Sequence, residues 1–459
     1  MRARILLILW FLSCGVSTGY AQNAQQERRV AEEKRTSLDR LAAKYQTAVQ
    51  RWVLEYGGWM NFRYTDFHND DNNADVEDSL KASFDTDVRI WLKATLKPPV
   101  GADYDNEQVF YFRIKDLYTQ EYGDSSLENF DNNGPHLDYA YGVLDFSPWW
   151  IEVGRKYFSI GRGIAYSDVN DGIQINYKVP GWNVGAFASH SLPHEENIDT
   201  SVPGYDKNSD RYFFGIGAGY SGIKGHQVYG FTMAQRDFSN ERPNDPNQQY
   251  TYNSNYFGIG ARGKSFWKTT YFSEVIRETG KSYIAGSNLK ANIDAWAADA
   301  GLEKQLDIFL TPQLSLEYAY GSGDADRADV TNTISGNASG GDNNFLYFGY
   351  KPTGLALAPR LSNLHMARLG TKLQPLERMT VQLNYYRFWK DKKEGAIFDA
   401  EATQSSLDVG QEIDLEASWQ MLSDLDMTLE YGHFVPGDAY AVTANDNTDY
   451  FSVSVTHTF

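Results

Sequence analysis

The last residues of the chain alternate between two kinds of side chain over a full strand length. Phe451, Val453, Val455, His457 and Phe459 share one face, which is mostly apolar, and small hydroxyl residues occupy the other. This period of two predicts an extended strand with two chemically different faces. A soluble sandwich would leave the aromatic row uncovered at its edge. In lipid, backbone groups must be satisfied internally, so a lipid-facing strand of this type belongs to a closed barrel.

The same alternation recurs upstream, with charged residues at every second position. In residues 87–96, Asp87, Arg89 and Lys93 alternate with aliphatic side chains, and residues 412–419 and 425–431 follow a similar pattern. Charges buried in a dry barrel interior would each cost several kcal/mol. They are tolerated when they face a water-filled lumen. The pattern therefore predicts an all-β protein, a closed antiparallel transmembrane barrel with charged side chains pointing inward.

Eighteen such segments can be counted in residues 51–459. They are 51–64, 80–97, 108–122, 136–147, 149–158, 171–178, 182–190, 209–220, 226–236, 251–262, 266–278, 286–303, 312–321, 362–374, 378–389, 410–421, 424–434 and 448–459. The predicted long connections are 65–79, 123–135, 159–170, 191–208, 237–250, 322–361, 390–409 and 435–447. Long outer loops, short periplasmic turns and an even strand count are typical of bacterial outer-membrane barrels. A barrel of about this size leaves an aqueous channel.

The N-terminal segment predicts export. Two arginines precede a short apolar stretch and a run of small residues, so residues 1–21 are predicted to be a signal peptide cleaved after Ala21. Cys14 would mark a lipoprotein instead, but the residues before it match a lipoprotein box poorly. Residues 22–50 have helical spacing and predict a periplasmic arm, with a plug or an oligomerising coil as alternatives. Residues 51–459 are the predicted barrel.

Composition excludes several other classes of protein. The chain has 459 residues, one cysteine, 15% aromatic residues and a formal net charge of −18. The single cysteine excludes a disulfide scaffold, and the aromatic content argues against disorder. An acidic balance argues against a nucleic-acid partner. Aromatic residues near strand ends predict girdles at the headgroup level, so the expected surroundings are outer-membrane lipid.

Four stretches of the chain carry a family resemblance. They are IEVGRKYFSIGRGIAYSDVNDGI (151–173), LEYAYGSGD (316–324), LSNLHMARLGTKLQPL (361–376) and LEYGHFVPGDAY (429–440). These stretches resemble the alginate export family of outer-membrane β-barrels. The resemblance implies an eighteen-stranded barrel that lets an anionic polysaccharide, or another solute, cross the outer membrane. The terminal Phe459 also resembles the sorting signal of such barrels, which implies the barrel-assembly machinery as a partner.

The parity of each strand predicts which charged side chains line the lumen. The basic ones are Arg63, Arg89, Lys93, Arg113 and Lys115 on the first three strands, with Arg368 and Lys372 on the fourteenth. The acidic ones are Glu317, Glu412, Asp414, Glu416, Asp426 and Glu430. Arg155 and Lys156 are adjacent, so a regular strand turns only one inward; the resemblance favours Arg155, and a bulge would admit both. Arg162 is expected in a loop that folds inward.

Two interpretations of these charges remain open at this stage. Basic and acidic walls that face each other would create a transverse field and set ion preference. Planar guanidinium groups also suit the carboxylates of a uronate chain. Alternatively, the charges pair with each other on the wall and only stiffen it.

Metal binding and catalysis find little support in the sequence. The acidic loops around Asp66–Asp78 and Asp324–Asp329 are oxygen-rich and can hold calcium, but no calcium-loop motif is complete, which favours solvated loops. No nucleophile elbow occurs. Glu412 and Glu416 are separated by about 13 Å along an extended strand, too far for a glycosidase pair unless the side chains converge.

The sequence therefore predicts a diffusion channel for an anionic, alginate-like polysaccharide or a related solute, and no enzyme. The main alternative is an uptake porin for small sugars or carboxylates. A third class, an adhesin or structural barrel closed by loop 322–361, would conduct nothing. Whether this loop or the helical arm plugs the pore is left open.

Overall fold

The computed structural model describes most of the predicted barrel. The described residues are 52–69, 72, 82–97, 107–122, 130–132, 134–192, 210–238, 252–264, 268–287, 289–333 and 336–459. The predicted signal peptide (1–21) and helical arm (22–50) lie outside them. Within these ranges, no helix is long and apolar enough to cross a membrane.

The described part of the chain folds into one antiparallel sheet that closes on itself. Its strands are β1 (Trp52–His68), β2 (Ala82–Leu96), β3 (Gln108–Tyr122), β4 (Phe130–Asn132), β5 (His136–Phe146), β6 (Trp149–Ile160), β7 (Tyr166–Val179), β8 (Trp182–His190), β9 (Arg211–Tyr220), β10 (His226–Asp237), β11 (Asn253–Lys264), β12 (Thr269–Tyr283), β13 (Lys290–Gln305), β14 (Gln313–Gly321), β15 (Leu364–Leu376), β16 (Met379–Lys390), β17 (Asp408–Gln420), β18 (Leu425–Pro436) and β19 (Thr448–Thr458). The three-residue β4 pairs with the outer part of β3, and β3 also pairs with β5. The other eighteen strands form the barrel, as the sequence predicts.

The barrel closes between its first and last strands. β1 and β19 pair from Trp59 opposite Thr458 to His68 opposite Asp449. Next to the pair of Trp59 and Thr458, at one end of this seam, Gly58 and Phe459 exchange two backbone hydrogen bonds of 3.0 Å. Because β1 pairs with β19 on one side and β2 on the other, the cylinder has no free edge at this point.

Apolar side chains cover the outer face of the barrel. Ile90, Ile259, Leu316 and Leu369 are 56–70% exposed, although each lies in the middle of a strand. A soluble monomer rarely exposes a continuous apolar surface of this kind. The exposed positions alternate with inward polar ones, which is the arrangement that a lipid-facing barrel requires.

One predicted long loop is wrong. The connection predicted at 159–170 is only the turn 161–165, because β6 continues to Ile160 and β7 already begins at Tyr166. The sequence around 166–170 is polar at several consecutive positions, which hides the strand periodicity. The structure explains this polarity: Tyr166 and Asn170 point into a buried hydrogen-bonded cluster with Ser189 inside the barrel.

The connection between β14 and β15, residues 322–363, folds into the barrel; we call it the inward loop. Its Phe345, Leu346 and Tyr347 are at most 2% exposed and belong to a large apolar cluster with inward side chains of β6 to β17. The phenol of Tyr256 on β11 donates a hydrogen bond of 2.7 Å to the Leu346 carbonyl. Part of the lumen is therefore packed and dry.

Other outer loops pack against each other above the barrel. Tyr440, in the connection between β18 and β19, donates a hydrogen bond of 2.7 Å to the Asp399 carboxylate in the connection between β16 and β17. Burial, reinforced by this carboxylate, raises the pKa of Tyr440 well above its usual value. This phenol therefore stays neutral and holds the two loops together.

Candidate functional site

The two arginines of β2 and β3, Arg89 and Arg113, share the carboxylate of Asp138. Arg113 donates from Nε to Asp138 Oδ2 at 2.5 Å, and Arg89 donates from Nη1 to the same oxygen at 3.1 Å. The Arg113 guanidinium also lies 4.0 Å from the Tyr139 ring centroid and 5.0 Å from that of Trp59. Arg113 is only 1% exposed. This side chain therefore belongs to the wall itself, and its positive charge is held in one orientation.

Arg63, Lys93 and Lys115 keep more contact with the lumen. Arg63 pairs with Glu430 at 2.6 Å, and Lys93 pairs with Glu55 at 2.9 Å; the side chains of both cations are 24% exposed. Lys115 shares the inward face of β3 with Arg113 and is partly exposed. These three positions let a positive charge meet a solute in the lumen.

Lys156, and not Arg155, occupies the inward position on β6. Lys156 donates to Glu152 and to Gln174, at 2.6 Å each, and is buried. Arg155 lies on the outer face, where it pairs with Asp171 at 2.9 Å. The expectation that Arg155 lines the pore is therefore wrong. β6 keeps its regular alternation from Glu152 through Lys156, so the parity rule decides the case without a bulge at this pair.

Arg162 reaches the far wall from the turn 161–165, as expected of a loop that folds inward. Its backbone N–H donates to Glu274 on β12 at 2.8 Å, and its Nε donates to Asp299 on β13 at 2.8 Å. The guanidinium lies 3.5 Å from the ring centroid of Phe272. Acidic residues of β12 and β13 thus hold this turn inside the barrel.

The inward loop is fixed by a network of buried charges. Lys351 contacts Asp299 at 3.2 Å and also pairs with Glu317 on β14. Glu317 also forms an ion pair of 2.6 Å with Arg368 on β15. Nearer the start of the loop, Arg327 pairs with Asp342 at 2.6 Å, and both residues are buried. Glu317 and Arg368 therefore face inward, but they serve mainly as anchors of the loop.

Glu412 holds the next part of the inward loop through backbone groups alone. Its Oε1 accepts the N–H groups of Leu355 and Ala356 at 2.6 and 2.7 Å, and its Oε2 accepts that of Leu357 at 3.0 Å. The carboxylate is fully buried. Three donors converge on one anion, so the wall and the loop form a single unit here.

The remaining predicted residues also point inward. Asp414 is 2% exposed, whereas Glu416 is partly exposed and accepts a hydrogen bond of 3.2 Å from Ser418. Asp426 and Glu430 share the inward face of β18, and Lys372 is exposed on the inward face of β15. Of these, Glu416, Asp426, Glu430 and Lys372 lie where lumen water reaches them.

The acidic and basic walls do not face each other across the lumen. Closure places β17 and β18 beside β19 and β1, so the acidic strands are close neighbours of the basic ones. Arg63 on β1 reaches over β19 to Glu430 on β18. The interpretation that opposite walls create a transverse field is therefore wrong, because strand order makes these walls neighbours.

Several charged residues at the loop contacts carry little signal in the sequence. Glu278 on β12 accepts a hydrogen bond of 2.5 Å from the phenol of Tyr252 and one of 2.9 Å from the backbone N–H of Leu346, and the phenol oxygen of Tyr256 lies 3.1 Å from the same carboxylate. The alternation of β12 places Glu278 on the inward face. Its neighbour on that face, Ile276, is apolar, so the inward positions of β12 are not consistently polar in the sequence. Lys351 had no such signal, because it lies in a loop without periodicity.

Within the inward loop, the acidic segment 324–329 that raised the question of calcium is internally hydrogen-bonded. Asp324 accepts the backbone and side-chain N–H groups of Asn343 at 2.8 and 3.1 Å, and Asp329 accepts the backbone N–H of Thr331 at 2.8 Å. In the part of the chain that the structure describes, no group of three or more His, Cys, Asp or Glu side chains could hold a metal ion. Most of the acidic segment at 66–78 lies outside that part, and the solvated loop that the sequence favours there stays a prediction.

A closed eighteen-stranded barrel, apolar outside and lined by charges inside, with long connections folded into its lumen, is the architecture of an outer-membrane porin. Solved structures agree with this class. Pseudomonas aeruginosa OccK11 (OpdR) is 12% identical, with a TM-score of 0.53 over 90% of this chain and 99% of that one. Pseudomonas aeruginosa OccK5 (OpdH) is 11% identical, with a TM-score of 0.54 over 88% of this chain and 98% of that one. At such low identity, the likeness concerns the fold alone.

The sequence profile of the alginate export family matches residues 12–454. The chain therefore belongs to this family and is a channel protein of the bacterial outer membrane. No curated protein sequence matches the chain.

Proposed function

We propose that the channel passes an anionic saccharide, a polysaccharide of the alginate type or a shorter acidic chain, by diffusion and without a catalytic step. Family membership supports the polysaccharide, and the water-accessible cations of the lumen support the negative charge. Within the described residues, Lys115 and Lys372 make no ion pair, while Arg63 and Lys93 keep part of their charged groups in water. The partial exposure of these inward cations is the observation that carries the proposal. Rings of fixed charge set ion preference in such channels.

Ion selectivity in planar bilayers tests the charge part of the proposal. In a potassium chloride gradient, Lys115→Ala and Lys372→Ala should both shift the reversal potential toward cation preference. Lys224→Ala is the matched control, because Lys224 loses the same charge in an exposed turn between β9 and β10. If all three variants keep the wild-type reversal potential, the inward cations do not select the solute.

A second candidate function, uptake of small sugars or carboxylates, is favoured by the inward loop. The loop packs part of the lumen with buried apolar residues and so reduces the space for a polymer. Current recordings separate the two functions. Block of the wild-type current by polyuronate supports passage of the saccharide. Block by monomeric glucuronate or a small dicarboxylate, with no effect of polyuronate, supports the uptake porin and contradicts our proposal.

We also propose that Phe459 serves as the recognition signal for the barrel-assembly machinery. Its position at the closing seam supports this, since it pairs with Gly58 when the barrel closes. Removal of Phe459 should lower the amount of assembled barrel in the outer membrane, measured by heat-modifiable mobility on gels, whereas removal of an exposed turn residue such as Lys224 should not.

A further inference from the structure

Five aromatic side chains line the lumen wall on four neighbouring strands, and we call them the aromatic platform. They are Trp59 on β1, Trp91 on β2, Tyr111 on β3, and Tyr139 and Tyr141 on β5. Strand pairing places them on the inward face, together with the inward cations of the same strands. All five are half-buried, so each presents part of its ring to the lumen. They are therefore distinct from the outer aromatic girdles, whose rings face lipid headgroups.

Four rings of the platform are close enough to form one continuous surface, and the Arg113 guanidinium, which contacts both Trp59 and Tyr139, connects the fifth ring to them. Trp91 and Tyr111 are stacked, with centroids 6.1 Å apart and an interplanar angle of 21°. Tyr111 lies 5.3 Å from Tyr141 and 6.4 Å from Tyr139. A Cβ atom on Gly57 would lie 2.8 Å from the Trp91 indole, so the glycine leaves the space in which this ring lies against the wall.

Cations alternate with the rings along these strands. Arg89 lies opposite Trp59 in the pairing of β1 and β2, and Lys93 lies opposite Tyr111 in the pairing of β2 and β3. The Arg89 guanidinium is 5.4 Å from the Trp59 ring centroid. Arg89 is buried and paired with Asp87 and Asp138, whereas Lys93, although paired with Glu55, keeps 24% of its side chain exposed at the margin of the rings.

This combination fits one chemical class of ligand. A pyranose ring has a flat face of C–H groups, and packing that face on an aromatic ring removes apolar area from water. The carboxylate of a hexuronate lies at the edge of the sugar ring, where the partly exposed Lys93 or Lys115 can meet it. Four strands at their usual spacing span about 15 Å, the length of roughly three sugar residues.

We infer that the aromatic platform is a binding site for a short segment of acidic saccharide chain, and that it guides the chain along the lumen wall. This inference rests on the proposed function and specifies where the saccharide is held. Rings that merely fill the barrel would be buried, as Phe345 and Tyr347 of the inward loop are. The platform rings are instead partly exposed to the lumen, and the apolar cluster that contains Phe345 and Tyr347 does not include them.

The test uses the full-length protein in planar bilayers, with a hexamer of mannuronate as the probe. The hexamer should block the wild-type current, and Trp91→Ala and Tyr111→Ala should each raise the half-blocking concentration about fivefold to tenfold. Trp91→Phe should restore most of the affinity, because it keeps a ring. Trp182→Ala, on the outer face, is the matched control and should behave as the wild type. Heat-modifiable mobility and unchanged unit conductance show that each variant is folded.

The outcomes separate the site from the function. If the hexamer does not block the wild-type channel at all, the proposed function fails and the inference falls with it. If the hexamer blocks the wild type, but Trp91→Ala and Tyr111→Ala keep the wild-type half-blocking concentration, only the platform is refuted. Neutral maltohexaose should block at least tenfold more weakly; equal block would contradict the acidic class of the ligand.

Discussion

Replacing Glu412 by glutamine should release the inward loop from the wall. In the wild type, the carboxylate accepts three loop N–H groups at 2.6, 2.7 and 3.0 Å. A glutamine has a single acceptor oxygen, and its amide group would face one of these donors without an acceptor. The substitution is nearly the same size, so it changes the charge and the hydrogen bonds with little change in packing.

The expected magnitude follows from the three bonds. A hydrogen bond to a charged acceptor contributes about 1.5–3 kcal/mol and one to a neutral acceptor about 1 kcal/mol, so three weakened bonds cost roughly 3 kcal/mol. Rehydration of the freed amides reduces the net change to about 2 kcal/mol. At about 1.4 kcal/mol per tenfold change, the released population should rise about 30-fold.

Limited digestion with trypsin measures this population, because Arg360, which is followed by Leu361, provides a cleavage site directly after the anchored segment. When opening is fast relative to cleavage, the cleavage rate follows the fraction of open loop. Glu412→Gln should therefore be cleaved about 30-fold faster than the wild type and should also show a larger unit conductance. Glu416→Gln is the matched control: it lies on the same inward face of β17, and its Oε1 accepts a hydrogen bond from a strand serine. Equal cleavage rates in the two variants would refute the anchoring role of Glu412.

Three further substitutions test other parts of the wall. Lys351→Met removes the cation that contacts the buried carboxylates of Asp299 and Glu317, so the reversal potential should shift toward cation preference. An unchanged potential would mean that these charges do not act on ions in the lumen. Arg113→Ala removes the buried cation that pairs with Asp138, so the free energy of unfolding, measured with urea, should fall by about 3–5 kcal/mol. Lys115→Ala, on the same face of β3, should lower it by less than about 1 kcal/mol. Gly57→Ala should impair barrel closure, because the new Cβ would lie 2.7 Å from the backbone carbonyl of Phe459. Gly142→Ala, whose Cβ would have its nearest neighbour at 3.6 Å, should assemble normally; a heat-modifiability assay measures both.

The sequence by itself determined the barrel and the inward or outward direction of nearly every predicted wall residue. The physical reason is local: a strand turns successive side chains to opposite faces, and one face meets lipid while the other meets water or polar groups. Arg63, Lys93 and Glu412 point inward for this reason. The error at Arg155 arose where the resemblance, and not the alternation, was used to choose between adjacent cations.

Only the tertiary structure decided what the inward charges do. Closure of the cylinder brings β18 next to β19 and β1, so Glu430 meets Arg63 although 367 positions separate them in the chain. The inward loop has no periodicity that could predict its path, and its Lys351 contacts carboxylates on two strands of the wall, Asp299 on β13 and Glu317 on β14. Pairing and loop placement depend on contacts between distant parts of the chain, whereas the direction of a strand side chain depends on its immediate neighbours alone.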